Sequence, residues 1–267
     1  MRETAHLFGA ERSLFGIVTH PLERSILRTG VIILNAGQVH HVGPNRLNVK
    51  IARHLAKAGF TCARIDQSGK GESPVRSGLA RAESLLQDFD DVEGYMATLD
   101  VDRYVIVGLC SGADDALIIA DQRQQVSGLA LLDSFVEHNR FRYVDYLLRT
   151  TLDLYWVRHA PRNVVPRIKG LLLNSGNQVD VRDWDEPEIM NGYYNNFLER
   201  GGNVIAIFTH GARYYSKCGQ LASSLLTNRG LKEIHLKDAS HTYAERTHRD
   251  QLCTHMLEWM LQAFPEN

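Results

Sequence analysis

The sequence predicts an α/β fold in which a mostly parallel sheet is covered on both faces by helices. Short apolar runs rich in β-branched residues recur along the chain, and Val31–Leu34 is typical of a strand buried on both faces. Segments with apolar residues at helical spacing separate these runs. With 267 residues and 44% apolar content, the chain is long enough to bury one sizeable core.

The predicted elements follow one another in a regular order. The chain opens on an antiparallel hairpin formed by His6–Phe8 and Leu14–Thr19, and strands then alternate with helices. Further strands are expected at Phe60–Ile65, Tyr104–Val107, Gly128–Leu132, Val204–Phe208 and Glu233–Leu236. Helices are expected at about 45–58, 85–96, 111–120, 221–226 and 252–260.

The alternation breaks between residues 135 and 200, where the sequence is irregular and rich in aromatic residues. We interpret this segment as a helical lid inserted over the carboxyl edge of the sheet. The alternative is a peripheral helical insertion that completes the core. The predicted organisation is thus a first core segment at 1–134, a lid at 135–200 and a second core segment at 201–267.

Composition excludes several classes of function. Thirty Lys and Arg against 31 Asp and Glu give a net charge of −1, which disfavours binding to nucleic acid. No apolar run is long enough for a membrane span, and the first residues lack the apolar core that a signal peptide would have. The cysteines have no paired spacing, so neither disulfides nor a metal site is predicted, and we expect a cytoplasmic protein without a cofactor. They are Cys62, Cys110, Cys218 and Cys253.

Residues 105–117 are the most informative stretch. An apolar strand ends at Gly108, Cys110 follows two residues later, and Gly112 opens a helix-forming run. This strand, tight turn and helix are the arrangement of a nucleophile elbow, with Cys in place of the more usual Ser. The flanking glycines fit the close packing that such a turn requires.

Two further loops resemble those of the α/β-hydrolases. Asp66–Ser73 resembles their D-x-R-G-x-G-x-S loop, and Ala239–Tyr243 resembles the histidine loop after their last strand. The resemblance covers nearly the whole chain. It implies the α/β-hydrolase fold, with a mostly parallel eight-stranded sheet, helices on both faces and an inserted helical lid.

More narrowly, the chain is similar to the exosortase-system-associated hydrolases. Their G-L-C-x-G-A elbow is matched by Gly108–Ala113. Their G-x(5)-G-x-x-R loop after the third strand is matched by Gly37, Gly43 and Arg46.

These positions suggest a role for each residue. Cys110 is the expected nucleophile, because a helix N-terminus and a nearby imidazole both favour the thiolate. His241, after the last strand, is the expected general base. Ser111 is a rival nucleophile, although its register suits a backbone N–H in the oxyanion hole better. Gln38 is our choice for the second oxyanion donor, with Val39 as the alternative.

The acid behind the histidine is the point at which the sequence departs from the hydrolase pattern. The carboxylate usually follows the seventh strand, but residues 208–215 contain neither Asp nor Glu. Either the site is a dyad or the acid comes from another strand end. We favour Asp133, directly after the sixth strand, because a histidine in this role normally needs an orienting partner. Asp238 is a further candidate near His241.

Other acidic residues and histidines have structural interpretations. Asp114 and Asp115 suit the first turn of the elbow helix, where a carboxylate interacts favourably with the helix dipole. Asp66 is expected to brace its glycine-rich loop. His40 and His41 are expected to be an exposed pair, and the alternative is that they line the mouth of the pocket.

The sequence therefore predicts hydrolysis of an ester or thioester through an acyl-enzyme on Cys110. The partner would be a small acyl substrate, either free or attached to a carrier. An acyltransferase using the same intermediate is the alternative, as is an inactive hydrolase fold that serves as a binding partner.

Overall fold

In the computed structural model, eight strands form one twisted sheet. The structure describes residues 1–22, 27–134, 137–138, 187–210, 219–220 and 229–265. In chain order the strands are β1 (Arg2–Phe8), β2 (Leu14–His20), β3 (Thr29–Ile33), β4 (Thr61–Ile65), β5 (Arg103–Leu109), β6 (Val126–Leu132), β7 (Asn203–Thr209) and β8 (Leu231–Leu236). Their spatial order is β1-β2-β4-β3-β5-β6-β7-β8. Only the pairs β1–β2 and β2–β4 are antiparallel, which confirms the predicted sheet.

Helices cover both faces of the sheet. They are α1 (Leu47–Lys57), α2 (Arg81–Ala97), α3 (Ser111–Gln122), α4 (Pro187–Glu199) and α5 (Arg246–Ala263). Helices α1 and α5 pack on one face with Val105 and Val107 of β5, whereas α2, α3 and α4 pack on the other with Ile106. Successive β5 residues thus enter opposite cores, as the twofold repeat of a strand requires. A helix predicted at 221–226 lies outside the described residues.

Helix α4 falls within the segment predicted to be a lid, yet it packs into the core. Tyr194 and Phe197 are buried in the same apolar cluster as α2 and α3. Asn196 donates a hydrogen bond to Asp121 at 2.9 Å, and Arg200 donates to the carbonyls of Arg123 and Val126 at 3.0 and 3.2 Å. The boundaries at 134 and 200 stay predictions, and most of the lid lies outside the described residues. The packing of α4 favours a core that resumes near residue 187.

Parallel pairing brings the ends of the central strands to one edge of the sheet. Leu109 pairs with Leu132, Leu132 with Ile207, and Leu236 with Thr209. The carboxyl ends of β5, β6, β7 and β8 therefore meet at one edge, where open α/β sheets bind ligands. Among the described helices, none has both the length and the apolar character to cross a bilayer.

Candidate active site

The turn between β5 and α3 holds Cys110 in a strained backbone conformation. Its φ of 58° and ψ of −124° are unusual for a residue with a Cβ. Close packing on both sides holds this turn in its strained conformation. A Cβ on Gly108 would collide with the backbone of Gly112, and a Cβ on Gly112 would collide with the carbonyl oxygen of Asn35. The Cys110 N–H donates to the Leu132 carbonyl at 2.9 Å, which fixes the turn against β6.

Cys110 differs from the other described cysteines in its surroundings. Cys62 and Cys253 are buried free thiols, whereas Cys110 is half-buried. Burial raises the pKa of Cys62 well above its ordinary value and that of Cys253 to about 12. Both buried thiols therefore remain protonated and unreactive at neutral pH.

The imidazole of His241 lies between two of the predicted site residues. Its Nδ1 is 2.7 Å from Oδ2 of Asp133, and its side chain also lies near enough to Cys110 for the two to interact electrostatically. The Asp133 contact is the largest cause, and the Cys110 contact the next, of a pKa raised to about 9; burial opposes this rise. The structure thus brings Cys110, His241 and Asp133 together, although 108 residues separate the last two.

The loop after β3 faces the beginning of α3. The N–H of Gly37, which has a φ of 57°, donates to Oγ of Ser111 at 3.0 Å. The side chains of Gln38 and Val39 are exposed, and Val39 closes the turn by donating its N–H to the Ala36 carbonyl at 3.0 Å. The N–H of Gly37 is thus directed at the start of the elbow helix. An oxyanion role for Gln38 stays a prediction.

Comparisons with known proteins agree with this architecture. A family model described as alpha/beta hydrolase fold matches residues 36–161. Est1E from Butyrivibrio proteoclasticus is 13% identical, with a TM-score of 0.60 over 97% of this chain and 98% of that one. The chain has the α/β-hydrolase fold.

Two further solved structures share it at 13% identity and a TM-score of 0.57. A thermophilic esterase from Thermogutta terrifontis matches over 99% of this chain and 100% of its own. A dienelactone hydrolase from Anabaena variabilis matches over 98% and 97%. A search of curated proteins found no match. At these identities the likeness concerns the fold alone.

In this hydrolase-fold chain, a threonine ends the seventh strand, after which the acid usually lies. Thr209 donates its backbone N–H to Oδ1 and its hydroxyl to Oδ2 of Asp133, both at 2.7 Å. Asp133 is only 2% exposed and has a φ of 47°, and its own N–H donates to the Ile207 carbonyl. From Thr209 and His241 its carboxylate thus has three hydrogen-bonding contacts, which compensate the burial of its charge. The sequence analysis missed Thr209, since a threonine in a strand is unremarkable.

The glycine-rich loop after β4 is braced by Asp66, as predicted. The buried carboxylate accepts hydrogen bonds from the N–H of Glu72 at 3.1 Å and from Asn35 at 2.9 Å. It also lies 2.9 Å from Nδ1 of His41. Burial raises the pKa of Asp66, but these hydrogen bonds outweigh it and the net pKa is lowered. His41 is half-buried in this contact, so the prediction of an exposed pair is wrong for His41, whereas His40 is exposed.

Asp115 has side-chain partners in addition to its favourable position near the N-terminus of α3. Its buried carboxylate accepts a hydrogen bond from Gln67 at 2.9 Å and pairs with Lys70 at 3.4 Å and with Arg81. The elbow helix is thereby fastened to the glycine-rich loop and to the start of α2. Asp238, by contrast, is exposed.

No group of three or more His, Cys, Asp or Glu suited to a metal occurs in the part of the chain that the structure describes.

Proposed function

We propose that the protein hydrolyses esters or thioesters through an acyl-enzyme on Cys110. The supporting observation is the imidazole of His241, which hydrogen-bonds Asp133 and interacts with the side chain of Cys110. The pKa of about 9 keeps this imidazole protonated at neutral pH. A protonated imidazole next to the thiol favours a thiolate–imidazolium pair as the resting state.

The reaction then proceeds in two halves. The Cys110 thiolate attacks the acyl carbon, and the N–H groups of Ser111 and of the loop after β3 stabilise the oxyanion of the tetrahedral intermediate. The intermediate collapses as the imidazolium of His241 protonates the departing alkoxide or thiolate, which leaves an acyl thioester on Cys110. The neutral imidazole next takes a proton from water, and the hydroxide oxygen bonds to the acyl carbon. Departure of the carboxylic acid restores the thiolate–imidazolium pair.

A thioester intermediate also permits transfer to an amine. Amines attack thioesters readily, so the same site suits an acyltransferase if an acceptor displaces water. Product analysis with and without added amines separates the two activities. Free acid as the sole product at every amine concentration would exclude the transferase.

We also propose a reducing compartment such as the cytoplasm. Cys62 and Cys253 are free, and a catalytic thiol at Cys110 requires a reducing environment to remain active.

Iodoacetamide labelling followed by peptide mass spectrometry tests the proposal. We expect Cys110 to be alkylated while Cys62 and Cys253 are spared, and hydrolysis of p-nitrophenyl and thioester substrates to be lost in parallel. Cys110→Ala should lower kcat/KM by a factor on the order of 10³. Cys253→Ala, a change at a buried thiol, is the matched control.

Two outcomes would contradict the proposal. One is an unchanged rate in Cys110→Ala. The other is the absence of turnover of any activated ester by the wild-type protein, which would favour the binding-only alternative. Loss of turnover in His241→Ala would count against that alternative.

A further inference from the structure

A concave cleft of about 600 Å³ lies between helices α1 and α5. This volume is within the range of about 300–1,000 Å³ that small-molecule sites occupy. The cleft adjoins the loop of His241, because Asn45 in its wall donates a hydrogen bond to the Thr242 carbonyl at 3.0 Å. The mechanism proposed above makes no use of it.

The lining of this cleft is strongly basic, although the whole chain carries a net charge of −1. Asp250 is the single carboxylate in the lining. The basic residues are Arg46, Lys50, Arg53, Lys57, Arg246 and Arg249. A concentration of one sign of charge in a concave surface raises the local potential and attracts ions of the opposite sign.

Neighbouring carboxylates neutralise only part of this charge. Asp250 pairs with Lys50 and lies 3.8 Å from Arg246, and Glu3 accepts a hydrogen bond from Arg53 at 2.5 Å. Among the residues that the structure describes, no carboxylate pairs with Arg46 or Lys57, and both are exposed.

The helix ends add to the excess of positive potential. Helices α1 and α5 both begin at the cleft, and neither has an acidic residue in its first turn or a side-chain cap on its N-terminal N–H groups, although Glu245 stands at the N-cap of α5. Arg46 and Arg246 stand where the helix dipole disfavours a cation. Such an arrangement is unfavourable in the empty protein and becomes favourable once an anion is bound.

We infer that this cleft binds the phosphate groups of a small, multiply phosphorylated molecule. Arginine side chains suit phosphate because they donate paired hydrogen bonds to its oxygens, and lysine adds a compact charge. The phosphates belong either to the acyl donor itself or to a separate regulatory ligand. The chemistry of recognition is the same in both cases.

Titration calorimetry with inorganic tripolyphosphate at low ionic strength tests the site without relying on acyl chemistry. We expect the wild-type protein to bind, and the double variant Arg46→Gln/Lys57→Gln to bind about tenfold more weakly or worse. The control is Arg103→Gln/Arg229→Gln, which removes the same charge at two exposed positions. These positions lie at the amino ends of β5 and β8, opposite the candidate active site. The affinity of this control variant for tripolyphosphate should stay within about twofold of the wild-type value.

The inference is overturned if wild-type protein fails to bind tripolyphosphate, or if both double variants weaken binding equally. The latter result would show a response to net charge alone. Thermal unfolding checks that each variant is folded. Lys57→Gln alone, at an exposed position in the last turn of α1, replaces the double variant if that one does not fold.

A second experiment identifies the source of the phosphates and rests on the proposed function. It compares thioesters of one acyl group on a phosphorylated and on a phosphate-free thiol. If the phosphates belong to the donor, tripolyphosphate and the Arg46→Gln/Lys57→Gln change raise KM for the phosphorylated thioester only. If they belong to a separate ligand, both thioesters respond alike. If the wild-type protein hydrolyses neither thioester but still binds tripolyphosphate, the proposed function is overturned and the inferred anion site is not.

Discussion

At the scale of single residues, Asp133 and Thr209 form a pair that sets the position of the His241 imidazole. The backbone N–H of Thr209 fixes one carboxylate oxygen, and its hydroxyl fixes the oxygen that faces His241. A carboxylate that orients a catalytic histidine must itself be held in position. Thr209 would therefore affect catalysis indirectly, through the position of Asp133.

Thr209→Val removes the hydroxyl and keeps both the backbone donor and the branched shape. A hydrogen bond to a charged group is worth about 1.5–3 kcal/mol, so we expect kcat to fall about tenfold. Thr209→Ser restores the hydroxyl and should recover most of the rate. Equal kcat values for Thr209→Val and wild type in ester hydrolysis would show that the hydroxyl does not position the carboxylate.

The raised pKa of His241 predicts how stability depends on pH. The folded protein holds the proton up to about pH 9, whereas an unfolded histidine releases it near 6.5. The stabilisation is therefore complete below pH 6.5 and is lost as the pH rises from there through about 9. The His241 side chain is 35% exposed, so solvent screening reduces the size of the effect.

Urea unfolding of wild type and Asp133→Asn between pH 6 and pH 10 measures this dependence. Asp133 is the largest cause of the raised pKa, so the stability difference between the two proteins should shrink across that interval. Ionisable groups elsewhere titrate alike in the two proteins, so their contributions cancel in the stability difference. A difference that stays constant or widens with pH would contradict the assignment.

At the scale of elements, the elbow depends on how closely α3 approaches the loop after β3. The elbow turn is predictable because steric limits leave a visible mark in the spacing of Gly108 and Gly112. The proximity of Asp133 to His241 is predictable as well, because parallel pairing brings strand ends together whatever their separation in sequence. The backbone donor at Gly37 left no such mark, since the direction of an N–H depends on loop dihedral angles rather than on side-chain type.

Gly112→Ala should destabilise the fold, because its Cβ would meet the backbone carbonyl of Asn35, which cannot rotate away. We expect a loss of about 1–3 kcal/mol in the free energy of unfolding. Gly94→Ala is the matched control. It lies on the exposed surface of α2 with no atom near its Cβ, and it should stabilise the protein by up to about 1 kcal/mol. Equal shifts in urea midpoint would show that the elbow tolerates a side chain.

At the scale of the whole molecule, the structure confirms the predicted sheet, whereas the boundaries of the insertion stay predictions. Strand and helix periodicity is local and therefore readable from the chain. The aromatic residues of α4 suggested a lid, but whether an aromatic residue covers a site or fills a core depends on the surface that it meets. The same limit applies to Asp115, whose partner Gln67 lies 48 positions away.

Phe197→Ala tests whether α4 belongs to the core. Phe197 is fully buried, so its truncation should lower the free energy of unfolding by about 3–5 kcal/mol. Ile189, on the same helix, is 44% exposed, and Ile189→Ala should change stability by less than about 0.5 kcal/mol. If Phe197→Ala has the same urea midpoint of unfolding as the wild-type protein, α4 does not stabilise the core.

The two strand ends that meet beside His241 also bear on how such a site changes between lineages. A chain that gained a carboxylate at position 209 while keeping Asp133 would hold two like charges within hydrogen-bonding distance. One of them would take up a proton, so the pair would still present a single negative charge to the imidazole. Loss of the older carboxylate would then leave the newer one in its place. An acid can thus pass from one strand to its neighbour without any generation in which the histidine lacks a partner.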